Sequence, residues 1–126
     1  MGQTAYSANP YAAAQRATLS GRALEREVLT RAALRIEAAD EGVPGGASAL
    51  AQALDGNRRL WAALATDIAA STNSCPDALK AQLLSLASFV ERHTPRVMAG
   101  EAGREILVTI NRNLAAGLAA LERQAA

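Results

Sequence analysis

A chain of 126 residues, half apolar but with only four aromatic side chains and about a quarter alanine, has the composition of one all-α domain. It has too few β-branched and aromatic residues for a sheet. Thirteen basic residues stand against twelve acidic ones and are scattered along the chain, so no direct nucleic-acid binding is expected unless the charges segregate in space. The single cysteine excludes an internal disulfide, and no apolar run reaches the roughly 18 residues of a membrane-spanning helix. No basic-then-apolar leader opens the chain, so a soluble, cytoplasmic protein without membrane insertion is expected.

Residues 1–19 mix Ser, Thr, Asn and Pro10 with alanine and hold too few bulky apolar side chains to fix themselves in place. They read as an N-terminal arm, or a short helix from Pro10 to about Thr18, ahead of a helical bundle domain over residues 20–126. Ser20 is a candidate N-cap for a helix of about Gly21 to Asp40, with Leu24, Val28, Leu29, Ala32, Ala33 and Ile36 on its apolar face. EGVPGG, Glu41 to Gly46, cannot continue a helix. The second helix is predicted over about Ala47 to Ala70, with Ser48 a possible cap. Its seam of Leu50, Leu54, Asn57, Trp61, Leu64 and Ile68 steps by four, three, four, three and four residues, as in bundles.

STNSCPD, Ser71 to Asp77, is the next turn, with Cys75 as cap and Pro76 at the first helical position. A third helix of about Pro76 to Ala99 repeats the stepping through Leu79, Leu83, Leu86, Val90, His93 and Val97. Leu84 and Phe89 widen that face, which makes it the expected central helix, kinked or broken near Thr94 by Pro95 and ended by Gly100. The last helix, about Ala102 to Arg123, carries Leu107, Ile110, Leu114, Gly117 and Leu121 on one seam. Short loops make successive helices antiparallel, so the fold class is an all-α, single-domain bundle of four main helices plus the arm.

Nothing in the chain suggests chemistry. One His and one Cys fall short of a zinc ligand set, GVPGG lacks the spacing and the lysine of a phosphate loop, and no nucleophile motif is visible. No catalytic, metal or cofactor-binding residue is expected, and no enzyme. His93 and Asn57 occupy inward seam positions and need hydrogen-bond partners, Asn57 from His93 or a loop carbonyl, with Asn111 at the flank of the last seam able to join. Trp61 falls on the core seam, Arg58 on its flank and Arg59 outward; arginine and tryptophan are types enriched at interface hot spots.

Three segments in order resemble the FlaF family, small flagellar biosynthesis regulators of alphaproteobacteria. They are NRRLWAALATD from Asn57 to Asp67, PDALKAQLLSLASFVERHT from Pro76 to Thr94 with Val97, Gly100 and Glu101 beyond it, and INRNLAAGL from Ile110 to Leu118. Upstream, Tyr11 and SGRALE, Ser20 to Glu25, are similar to the family's N-terminal pattern, with Gly21 where many members have proline. The resemblance implies a flagellar factor that promotes flagellin synthesis and secretion, opposing a companion regulator, FlbT, and binding unassembled flagellin as an export chaperone. The alternative is a post-transcriptional adaptor of flagellin expression acting with or against FlbT. Flagellin is thus the expected partner and FlbT the second, with oligomeric state left open.

On this reading an apolar groove would take a helical flagellin segment. The candidate partner-binding residues are Arg58, Arg59, Leu84, Phe89, Tyr6 and Tyr11, the two tyrosines on an arm able to cover the groove when it is empty. Asn57, Trp61, Leu64, Leu86, Val90, His93, Ile110 and Leu114 are the expected structural core.

Overall fold

A computed structural model describes residues 25–70 and 75–125, and among them four helices and no strand form one all-α domain. The arm, Tyr6, Tyr11 and the first helix's expected start at Gly21 lie outside the described residues. Helix α1 covers residues 25–38, α2 is Gly46–Ala69, α3 is Asp77–Met98 and α4 is Glu105–Ala125.

The α1–α2 connection shows why its glycines are adjacent. Asp40 turns the chain by accepting the Gly42 amide on its carboxylate at 2.9 Å. Gly45 then takes φ 80°, a left-handed conformation that costs other residues about 1–2 kcal/mol. A Cβ on Gly46 would lie 1.6 Å from the Asp40 carbonyl oxygen, so only glycine lets the backbones pass. The N-cap of α2 is therefore Gly45, without a side-chain hydrogen bond, and not Ser48.

Pro76 is the N-cap of α3, with extended ψ of 145°, so the helix begins one residue later than its sequence suggests. Pro95 neither breaks nor stops the helix, which runs on to Met98. The missing proline amide costs only the bond to the carbonyl of Glu91. Both residues are on the exposed side of the helix. Gly100, at φ 76°, closes α3: its amide donates to Val97 at 3.0 Å and that of Glu101 to Arg96 at 2.8 Å. That double bond is the Schellman arrangement. The turn occupies residues 101–104, delaying α4 to Glu105.

The central helix is α2, not α3. It buries Leu50, Ala53, Leu54, Asn57, Trp61, Leu64 and Ile68, whereas α3 buries only Ala87, Val90, Thr94 and Val97. The α3 seam is thus rotated from the expected one: Leu79 is exposed, while Leu83, Leu84, Leu86 and His93 are half-buried. Leucines at 79, 83, 84 and 86 make several stripes equally apolar, so periodicity cannot choose among them. Thr94 is tolerated inside because its hydroxyl donates to the Val90 carbonyl at 2.6 Å. Among the described side chains of α4 the buried set is Leu107, Val108, Asn111 and Ala115; Ile110 and Leu114 are half-buried, Gly117 is exposed, and Leu121 lies outside the described side chains.

Antiparallel order follows from contacts that descend in one helix as they rise in the next. Arg104 reaches Ile36 and Ala39, and Asn111 reaches Leu29, so α4 runs against α1. Lys80 approaches Ala70 and Arg58 meets Glu91, so α3 runs against α2. The α2 and α3 backbones lie close to each other.

Candidate partner-binding groove

Two features stand out: a polar knot inside the bundle and an apolar groove on its surface. The knot is centred on Asn111, which is fully buried. Trp61 Nε1 can only donate, and donates to Asn111 Oδ1 at 2.8 Å. That fixes Asn111 Nδ2 as the donor side, and it reaches Asn57 Oδ1 at 2.7 Å and the Leu29 carbonyl at 3.2 Å. One amide thereby joins α1, α2 and α4. The orientation of Asn57 follows, and its Nδ2 is left buried without a hydrogen-bond partner. His93 does not pair with Asn57. Its Nε2 lies 2.9 Å from the Gly103 carbonyl and its ring stacks on Phe89 at 4.8 Å between centroids.

The groove lies on the surface formed by α3 and α4. It is an open depression of about 780 Å³ lined by Ala81, Gln82, Ser85, Leu86 and Phe89 of α3 and Ile106 and Ile110 of α4. No lining residue is charged, and Ile106 is 42% exposed. The Phe89–His93 stack and the His93–Gly103 bond lie where α3 turns back towards α4.

The candidate residues distribute unevenly. Phe89 lines the groove; Leu84 does not, and packs instead against the core cluster. Leu86 and Ile110, expected as core, form groove walls while also touching the core. Ile106, absent from the expected set, completes the apolar lining. Its sequence signal is an isoleucine beside Leu107, off the stripe of Leu107, Ile110, Leu114 and Gly117.

Arg58 and Arg59 are not at the groove. Arg58 donates to Glu91 at 3.0 Å and lies 3.4 Å from Asp55, while Arg59 meets Asp55 at 2.7 Å. Hydrogen bonds to Glu91, then to Asp55, raise the Arg58 pKa above its ordinary value. Both guanidinium groups are engaged within the bundle's own surface network. Tyr6 and Tyr11 lie outside the described residues.

Among the described residues no group of three or more His, Cys, Asp or Glu is placed to hold a metal, and no helix is long and apolar enough to cross a membrane. A family model described as flagellar protein FlaF matches residues 7–118. No curated protein and no solved structure matches the chain.

Proposed function

The chain belongs to the FlaF family of flagellar proteins, and from that premise we propose that it promotes flagellin synthesis and secretion by binding unassembled flagellin. The α3–α4 groove is the capture site, and the observation that carries this reading is its uncharged lining of Leu86, Phe89, Ile106 and Ile110. An amphipathic helix laid there would bury its apolar face and be kept from premature assembly. The ordering cost of the segment, about 2–5 kcal/mol, keeps such a complex releasable. Phe89, half-buried and stacked on His93, supplies a rigid aromatic wall.

The test is calorimetric titration of the full chain with monomeric flagellin at low and high salt. A one-to-one complex with a negative heat-capacity change and little salt dependence is expected. Ile106→Asp, at an exposed position, should abolish it without altering thermal stability. Absence of binding to flagellin, with binding to FlbT in its place, would replace the chaperone reading with the regulatory adaptor.

A further inference from the structure

We infer that the α3–α4 groove pairs with the same groove of a second copy of this chain, in an antiparallel two-fold dimer centred on Ser85, and that flagellin is taken up by exchange for that copy. The exchange rests on the flagellin reading; the self-pairing does not. The depression is open, its apolar lining is Leu86, Phe89, Ile106 and Ile110, and none of its lining residues is charged. A surface patch is its own partner when a two-fold axis sets residue i against residue j and j against i. The groove face of α3 meets that condition in shape and in charge.

Asp77, Ala81, Ser85, Phe89 and Arg92 step by four, four, four and three residues, so they share one side of α3. Ser85 lies midway between Ala81 and Phe89, about 6 Å along the axis from each. With the second α3 antiparallel and the two-fold axis at Ser85, each Phe89 falls opposite Ala81 of the other copy. The ring of one groove thus meets the smallest wall of the other, and the short Ser85 side chains at the axis let the helices approach closely. The second α3 also lies along α4, where it covers Ile106, 42% exposed in the single chain.

Charge follows the same register. Asp77 stands eight residues before Ser85 and Arg92 seven after it, about 12 and 10.5 Å along the helix. The two-fold axis therefore brings each Asp77 to the level of the other copy's Arg92. Both are exposed, and neither has an ion-pair partner among the described residues. Arg92 donates through Nε to the Ser88 carbonyl at 3.3 Å, which leaves its terminal nitrogens for an acid. The helix dipole does not account for it, because that effect ends within the last turn and α3 runs six residues beyond Arg92 to Met98. An uncharged centre with a charged pair at each end is the core-and-rim plan of a specific interface.

The experiment uses the full chain with Cys75→Ser and Ser85→Cys under mild oxidation, with Gln52→Cys, exposed on α2, as the control. A residue at the two-fold axis meets its own copy, so a disulfide-linked dimer is expected at position 85 and not at 52. Sedimentation of the otherwise native chain gives the dimer Kd, which Asp77→Arg or Arg92→Asp alone should raise roughly fivefold, since each pair occurs twice. The two substitutions together should restore it. A monomer at every concentration, equal cross-linking at 52 and 85, or a double variant weaker than either single one would overturn the inference. The cross-linked dimer also separates the two readings: it should lose flagellin binding and regain it on reduction. Undiminished binding by the cross-linked dimer would overturn the exchange and move capture away from the groove. If the dimer forms but flagellin binds neither the oxidised nor the reduced protein, the self-pairing stands and the flagellin reading falls.

Discussion

Asn111 and Asn57 touch each other yet should respond unequally to substitution. Asn111→Ala removes the only acceptor given to the buried Trp61 N–H, the donor to Asn57 Oδ1 and the tie to Leu29. Two orphaned groups at about 1–3 kcal/mol each, plus a cavity, predict a loss of roughly 3–5 kcal/mol, measurable by urea unfolding. Asn57→Leu also removes the Nδ2 group that already lacks a partner, so its cost should stay within about 1 kcal/mol. Equal losses at both positions would show that Asn111 is not the hub. Arg58 sets a pH dependence of its own. Its raised pKa means that whatever the pair contributes is fully present below the ordinary arginine value and is lost only as pH rises through the raised one. Arg58 titration should therefore leave stability unchanged between about pH 6 and 9, and Arg58→Gln should not alter the pH profile there.

At the scale of elements, glycines divide by what surrounds them. Gly46→Ala drives a methyl into the Asp40 carbonyl and should destabilise by at least about 2 kcal/mol, through the α1–α2 turn. Gly117→Ala, exposed within α4 and with nothing within 4 Å of the new methyl, should stabilise by roughly 0.5–1 kcal/mol. Thermal melts of the two variants moving in the same direction would contradict this. The α1 helix depends on α4 through backbone carbonyls: Arg104 donates to Ala39 at 2.7 Å and to Ile36 at 3.1 Å, satisfying groups at the C-terminal end of α1. Such a contact is invisible to a periodicity argument, because the acceptors carry no sequence identity.

For the whole molecule, Trp61 is a built-in reporter of cooperativity. It is buried in the central helix and tied to α4 at Asn111, which in turn holds α1. Its fluorescence and the far-ultraviolet circular dichroism should therefore lose their signals in one coincident urea transition. A fluorescence change well before loss of helix would mean that α1 or α4 detaches first. The groove stands outside this arrangement, since none of its lining residues takes part in the polar knot. Groove substitutions such as Ile106→Asp can thus alter partner binding while leaving the bundle intact.

The sequence by itself determined the four described helices, the turns at Glu41–Gly46 and Gly100, the α2 seam through Asn57 and Trp61, and the family pattern. Each is written in local spacing: a Pro and Gly cluster cannot be helical, and one regular stripe on α2 has no equally apolar competitor. Only the tertiary structure decided which stripes of α3 and α4 face inward, that α2 and not α3 is central, and that Leu86 and Ile110 with Ile106 line a groove while Leu84 does not. It also decided that Asn111 and not His93 completes Asn57, and that Arg58 and Arg59 are paired with acids. The reason is physical: rotation of a helix about its axis is set by the shape of its neighbours. Where several faces of a Leu- and Ala-rich helix are nearly equal in hydrophobicity, packing and a few directional hydrogen bonds choose among them.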